Sequence, residues 1–363
     1  MTSAAALPEI TVERAPHSRW VATDWSTVPF GSLYSDHMLV AEYRDGCWRE
    51  AAVRPYGPLP LPPSISALHY GLSIFEGFKA HRAPSGEILL FRPSENARRL
   101  RRSAARFVMP EVPEALFLDG VNALVSMDEK WVPDHGAGAL YIRPVLFSTD
   151  TSIRPKPGER FLFVVFTCPF ASYYPAALDV LVTSRYVRAF PGGTGDIKPG
   201  GNYAPTFLAD VEARARDCQT VLWLDGPEHR YLEECGAMNV FLVLGDRVVT
   251  PELSGTFLAG VTRDSVITLL RSMGHTVEER RVAIEEVLAA QTEGRLRECF
   301  GTGTAATISN VRRIHVDGED LVLPPFGPAA LGPLVRKRLV GIMSGRDPDP
   351  HGWVKRVTRD ARR

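Results

Sequence analysis

"GDIKPGGNYA" (195–204) is the stretch on which the reading of this chain turns. One lysine, Lys198, stands in a turn broken by glycine and proline, and the turn runs into a helical pattern. A lysine becomes a nucleophile only when its ammonium loses a proton. Its ordinary pKa of about 10.4 must fall through desolvation or neighbouring positive charge, or be bypassed by imine formation. Gly192, Gly193, Gly195, Gly200 and Gly201 would let a planar ring lie against the backbone here. A phosphate-binding P-loop would need Ser or Thr after the lysine, and Pro199 stands there instead. Taken alone, the segment also fits an exposed lysine in a flexible loop.

The rest of the chain bounds the answer. At 363 residues, 45% hydrophobic and 23% charged, it reads as a globular protein of two domains. Forty-two basic residues balance forty-two acidic ones, so no long-range field draws it to nucleic acid or a membrane. The basic end, "WVKRVTRDARR" (353–363), reads as a solvated tail. Five widely spaced cysteines without a C-x-x-C pair argue against a disulfide framework or structural zinc and fit a reducing cytoplasm. The N-terminus lacks a basic start followed by an apolar core, so no signal peptide is expected, and residues 1–15 are expected to be disordered. No apolar run is long enough to span a bilayer.

Along the chain, 37–53 alternates around an Asp-Gly turn and predicts a hairpin. Residues 94–107 place Ala97, Leu100, Ala104 and Phe107 at helical spacing behind Ser94 as N-cap. Residues 138–147 and 160–170 predict buried strands. Composition then shifts at 171–179, an expected linker between a small N-terminal domain (1–170) and a large C-terminal one (180–363) carrying Lys198. The second half predicts a strand over 180–188, a helix from Tyr203 to Asp217 with Phe207, Leu208, Val211 and Ala215 as its apolar stripe, and a helix over 262–274. The fold class is α+β.

Four more segments bear on Lys198. "HYGLSIFEGFKAHR" (69–82) combines aromatics, glycines and one acid; "YLEECGAMNVF" (231–241) puts two carboxylates before a glycine turn. "FLAGVTRDSV" (257–266) enters a helix through Gly260-Val261-Thr262, where the helix dipole favours an anion, and "FGTGTAATISN" (300–310) offers a nest of small residues. Each also reads as ordinary core or turn, and none is decisive alone. "GTGTA" has too little chain behind it for a dinucleotide half-fold.

In order, "HYGLSIFEGFKA", "YIRPVLF", "GDIKPGGNYAPT", "YLEECGAMNVF", "LAGVTRDSV" and "FGTGTAA" resemble the pyridoxal-phosphate enzymes of fold type IV, and more closely the branched-chain amino acid aminotransferases. The resemblance runs from about residue 29 to residue 354. It implies a small α/β domain and a larger pseudo-barrel β domain with helices. It also implies a homodimer and pyridoxal 5'-phosphate as cofactor.

Matched motif by motif, Lys198 takes the place of the lysine that holds the cofactor covalently and shuttles the proton. Tyr203 would bond the cofactor's phenolic oxygen, and Glu234 would keep the pyridine nitrogen protonated. On a strand Glu233 would face the other way, so one of the two carboxylates serves the ring. Arg99 matches the phosphate arginine, while Arg98, Arg101 and Arg102 read as surface charges. Val261 and Thr262 would add to the phosphate site, Thr304 and Ala305 to phosphate and substrate carboxylate, and Arg188 would lie near the cofactor. Phe30, Tyr70, Phe75 and Tyr141 would wall an apolar cavity for the substrate side chain. Arg143 beside them would receive the γ-carboxylate of glutamate, which explains a charge that would otherwise be costly there.

Two departures stand out. Ala306 and Ser309 replace a redox C-x-x-C pair found in some animal members, so thiol regulation is not expected. Ala237 stands where some members have threonine, so one carboxylate contact would be lost or replaced by backbone, which leaves substrate preference open. The implied activity is reversible ping-pong transamination of L-leucine, L-isoleucine or L-valine with 2-oxoglutarate, with no nucleic-acid or membrane partner. A D-amino acid transaminase, an aminodeoxychorismate lyase and a non-catalytic cofactor-binding protein are the rivals.

Overall fold

In a computed structural model, which describes residues 7–21, 24–171, 173, 177–327 and 329–358, the chain divides into two units. The first comprises Met1–Tyr173, Lys198–Gly200 and Ile342–Arg363; the second comprises Tyr174–Ile197 and Gly201–Gly341.

The first unit is built on one sheet of β1 (Ile10–Val12), β2 (His37–Arg44), β3 (Cys47–Pro55), β4 (Ser73–Phe75), β5 (Phe78–Arg82), β6 (Ile88–Phe91), β7 (Ala139–Ser148) and β8 (Phe161–Phe170). Its order is β1-β3-β2-β8-β7-β5-β6, with β4 also on β7. The hairpin expected over 37–53 is present, and its two turn residues, Asp45 and Gly46, both have positive φ (51° and 78°). That is the geometry an Asp-Gly pair favours, because its twist matches the strands. The strands expected over 138–147 and 160–170 pair antiparallel along their whole length, Ala139 opposite Phe170 and Ser148 opposite Phe161.

Helices α1 (Ser66–Tyr70), α2 (Pro93–Arg106) and α3 (Glu114–Met127) belong to this unit. Ala97, Leu100 and Ala104 of α2 are buried as their spacing predicts, and Arg98, Arg101 and Arg102 are exposed. Ser94 is not the N-cap. Pro93 takes the first helical position and Arg92 the cap, since proline's fixed φ suits that site. Leu39, Phe117, Leu124 and Phe163 meet in the core.

Both ends of the chain depart from expectation. Ile10–Val12 is not disordered but runs parallel to β3, with Ile10 opposite Ala51. The basic tail contributes β18 (Val354–Arg356), antiparallel to β6, and Trp353 packs edge-on against Phe91. The C-terminal segment therefore belongs to the first unit, which becomes the longer of the two. Lys198 belongs there too: the Phe75 N–H donates to its carbonyl at 3.0 Å, and its own N–H donates to Ser103 Oγ at 3.1 Å. Part of the expected linker, Ser172 and residues 174–176, lies outside the described residues.

The second unit is a closed barrel. Strands β9 (Leu178–Thr183), β10 (Thr220–Leu224), β11 (Leu232–Cys235), β12 (Met238–Leu244), β13 (Arg247–Thr250), β14 (Val277–Glu279), β15 (Leu296–Gly303), β16 (Thr307–Val316) and β17 (Glu319–Val322) form it and its extensions. The order β11-β10-β9-β16-β15-β12 closes on itself because β12 also pairs with β11. β9, β10 and β12 are buried at every position, so their mostly apolar sequences do not alternate with exposed residues. β9 ends at Thr183, leaving Arg188 beyond the strand expected over 180–188.

Helix α4 (Phe207–Arg214) is shorter than expected, being preceded by two 3-10 turns, and α5 is Val261–Ser272. The stripe expected on α4 faces outward: Phe207, Leu208 and Val211 are exposed, while Ala209 and Ala213 pack against Val221 and Trp223. The small residues let the helix approach the barrel. No helix among the described residues is long and apolar enough to cross a membrane. Among them no group of three His, Cys, Asp or Glu side chains could hold a metal ion. All five cysteines are free thiols.

His81, buried on β5, gives the fold a pH signature. Burial, and then the charges of Lys79 and His135, hold its imidazole down to about 3. The unfolded chain takes a proton near the ordinary value of 6.5 and the folded one does not, so this contribution to stability is lost as pH falls below 6.5. The urea stability of the wild type relative to His81→Gln should therefore fall with acidification, by at most about 1.4 kcal/mol per pH unit. A pH-independent difference would show that His81 charges freely in the fold.

Candidate active site

Both units carry residues that the sequence nominates. In the first, Lys198 enters through the backbone: Ile74 and Pro199 form an antiparallel bridge, so the lysine lies against the end of β4. Its side chain is half-buried, with Nζ 4.8 Å from the centroid of the Phe75 ring. The Arg143 guanidinium stands 4.5 Å from the same centroid and 5.3 Å from that of Tyr141. Arg143 Nη2 donates to the Tyr141 hydroxyl at 3.2 Å, while its buried Nε has no partner. Among the described residues no carboxylate is paired with this arginine, so it relies on ring faces and one hydroxyl and has capacity for an anion.

Phe30 packs edge-on against Tyr141 at 4.9 Å and Phe170 at 5.2 Å, completing the aromatic wall. A Cβ on Gly77 would come within 1.9 Å of the Tyr141 hydroxyl, so only glycine there admits the ring. Tyr70 does not join this wall. It sits at the last position of α1, is 47% exposed, and its hydroxyl donates to the Ile153 carbonyl.

Arg99 is buried on α2, and its Nε and Nη2 grip both oxygens of Glu76, at 2.6 and 2.8 Å. Glu76 is fully buried, so the pair is a desolvated, bidentate clamp. Glu76 was visible in the sequence as the one acid between Phe75 and Gly77, but nothing in that pattern named its partner 23 residues on.

In the second unit the site lies at one end of the barrel. The β11–β12 turn (Gly236, Ala237) and the β15–β16 turn (304–306) fall side by side, because Asn239 pairs with Thr302 across β12 and β15. Thr304 and Ala305 are half-buried in the second of these turns. Glu234 pairs with Asn239 across the hairpin; its Oε2 lies 2.6 Å from Arg188 Nε, and its Oε1 accepts the Leu258 N–H at 3.3 Å. Asn239 Nδ2 donates to the Leu258 carbonyl at 2.9 Å. Two side chains thereby tie the 258 segment to the barrel rim just before Gly260, Val261 and Thr262 open α5. Gly260 caps that helix without a side-chain bond, and Thr262 is buried.

Arg188 is the organiser of this end. Besides Glu234 it donates from Nη1 to the Thr256 carbonyl at 3.2 Å and from Nη2 to the Gly195 carbonyl at 3.4 Å. A Cβ on Gly195 would lie 1.9 Å from the Thr256 carbonyl oxygen. This glycine thus serves close packing three residues before Lys198, rather than leaving open space for a ring. Gly200 and Gly201, by contrast, face nothing within 4 Å.

Glu233 is as buried as Glu234, at 3% exposure, and accepts the Thr256 hydroxyl. Burial pushes its carboxyl up to about 7, against the Thr256 hydrogen bond and the charge of Arg188. Tyr203 lies half-buried between the two 3-10 turns that precede α4.

The donor set fits pyridoxal phosphate: an amine beside a ring, a buried carboxylate fixed by an arginine for a protonated ring nitrogen, and an uncapped helix N-terminus for a phosphate.

Residues 73–314 match the family described as amino-transferase class IV. The chain belongs to that family. It is 42% identical over 337 residues to the branched-chain-amino-acid aminotransferase of Mycobacterium tuberculosis, covering 90% of this chain and 92% of that one. To the branched-chain-amino-acid transaminase 1 of Bacillus subtilis it is 40% identical over 342 residues, covering 92% of this chain and 95% of that one. Among solved structures, it resembles the branched-chain amino acid aminotransferase of Escherichia coli (26% identity, TM-score 0.71, 89% of this chain and 99% of that one). This class IV transferase thus has the fold type IV architecture expected from its motifs.

Removing Arg188 from this family member should leave Glu234 as an uncompensated buried charge. Arg188→Gln is expected to cost about 3–5 kcal/mol in urea unfolding. A loss below about 1 kcal/mol would mean that solvent reaches Glu234.

Proposed function

We propose that this aminotransferase exchanges the amino group between L-leucine, L-isoleucine or L-valine and 2-oxoglutarate, with pyridoxal 5'-phosphate as cofactor. The observation that carries this reading is the shared ring of Phe75, with the Lys198 amine on it at 4.8 Å and the Arg143 guanidinium at 4.5 Å. An apolar wall that also bears a cation suits two side chains in turn, a branched aliphatic one and the carboxylate-tipped one of glutamate. The 42% identical relative named for branched-chain amino acids supports the same substrates.

When bound, pyridoxal phosphate supplies the carbonyl that receives the amino group and a ring that delocalises the electrons freed at the substrate Cα. Lys198 anchors the cofactor; its freed Nζ takes the Cα proton and returns it to the other side of the exchange. Glu234, held in place by Arg188, keeps a proton on the ring nitrogen, and Tyr203 donates to the phenolic oxygen. Val261, Thr262 and Thr304 receive the phosphate, together with Arg99, which Glu76 has already oriented. Ala305 presents backbone to the substrate carboxylate. Phe30, Phe75 and Tyr141 exclude water from the aliphatic chain, which keeps the lysine's proton transfers from leaking to solvent. A cytoplasmic homodimer fits this reading: the thiols are reduced, and Phe207, Leu208 and Val211 give α4 an apolar face that a second copy would cover.

Two experiments test it. The wild type reconstituted with pyridoxal phosphate should show a visible band that L-leucine bleaches and 2-oxoglutarate restores, and Lys198→Ala should fold yet lose turnover. A band indifferent to leucine, or an active Lys198→Ala, would overturn the assignment. Arg143→Leu should raise KM for 2-oxoglutarate by about 10- to 150-fold, the worth of one hydrogen bond to a charge, and leave the leucine half-reaction within about threefold. Equal losses for both substrates would place Arg143 outside glutamate recognition.

A further inference from the structure

Glu233 has no part in the function proposed above, yet it is built into the same end of the barrel. Its Oε1 accepts the Thr256 hydroxyl, and Thr256 also receives Arg188 on its carbonyl at 3.2 Å. Arg188 in turn holds Glu234 at 2.6 Å. The two neighbouring carboxylates of β11 are therefore joined through one threonine and one arginine. Glu233 Oε2 is buried with no hydrogen-bond partner. Glu233 also lines a pocket of about 140 Å³ walled by Pro191, Pro227, Tyr231, Pro251 and Phe257. A pocket of that size admits water, so the buried carboxyl has a route for proton exchange.

Other charged groups face Glu233 or line its pocket. Asp225, after β10, is desolvated, but three backbone N–H groups, from Tyr231, Arg230 and Glu228, hold its carboxyl low. Arg281 on the pocket wall is engaged by Glu228 and stacked on Tyr231. Glu252 completes the wall, and Glu234 is bound to Arg188.

We propose that Glu233 is a positioning residue whose protonation state sets how Arg188 is shared between two carboxylates, and thereby how firmly Glu234 holds the cofactor's ring nitrogen. With its proton on, Glu233 is neutral and Arg188 serves Glu234 alone. When the proton passes to water in the pocket, the trio of Arg188, Glu233 and Glu234 goes from neutral to one net negative charge. A protonated ring nitrogen is then held more tightly. The change falls near neutral pH, where burial has placed this carboxyl.

This inference rests on the cofactor reading above, and its test separates the two. The dissociation constant of pyridoxal phosphate is measured for the full-length wild type and Glu233→Gln from about pH 5.5 to about pH 8.5. Infrared spectra of both proteins without cofactor are recorded over the same range. The affinities should agree at the acid end, and the wild type should become tighter by about tenfold at the alkaline end, the equivalent of one pKa unit of coupling. A carboxylic-acid stretch should fade from the wild type as pH rises and be absent from the variant.

A second ligand, the 1-deaza analogue of pyridoxal phosphate, keeps the test open if the variant folds poorly. It lacks the ring nitrogen, so its affinity for the wild type should not gain at alkaline pH as pyridoxal phosphate does. Binding with a pH-independent ratio between wild type and variant, or an equal gain for the deaza analogue, overturns the role of Glu233 alone. No binding by the wild type at any pH overturns the cofactor reading and this inference with it.

Discussion

The carboxylate of Glu234 is buried at the rim of the barrel, and a charge in that position survives only beside an opposite one. Arg188 meets it at 2.6 Å and spends its remaining nitrogens on the carbonyls of Thr256 and Gly195. One guanidinium thus fixes a buried carboxylate, the segment leading to α5 and the segment leading to Lys198. It reaches all three because β9 ends five residues earlier, at Thr183, which leaves the arginine on irregular chain free to turn back over the rim. A rigid closed barrel beneath is what makes such a clamp worth building, since the groups it aligns cannot drift with a loose sheet.

The first unit follows a different economy. Two of its buried or half-buried arginines differ in their partners. Arg99 is gripped by Glu76 on both sides of a bidentate fork, whereas Arg143 lies on aromatic faces with a single hydroxyl. Pairing fixes orientation; the lack of a carboxylate partner leaves capacity for an anion. Phe75 carries both the lysine and the open arginine because β4 aligns with β7 on one side and receives Pro199 on the other. Gly77 lets Tyr141 close the arrangement, since any side chain there would collide with the phenol.

Family membership, enzyme class and barrel architecture were legible in six ordered motifs. Errors came where a local pattern has two physical solutions. The apolar residues of α4 satisfied helical spacing, but its alanines face the barrel because small side chains permit closer packing. A basic tail and an N-terminal segment, each polar enough to look unstructured, add strands to open sheet edges, where backbone pairing asks little of the side chains.

What the sequence by itself determined are features written in short, contiguous spacing. They include the Asp-Gly hairpin, the buried strands of β7 and β8, the helix behind Pro93, and the lysine turn with its neighbours. Each depends on backbone preferences and burial periods that act within about ten residues. What only the tertiary structure decided is who faces whom across long separations. Glu76 finds Arg99, Thr256 joins Glu233 to Arg188, and Lys198 is drawn into the first unit by β4. Those partnerships are set by desolvation, which makes a buried charge or N–H take whatever partner the fold brings within reach, and no local pattern records that choice.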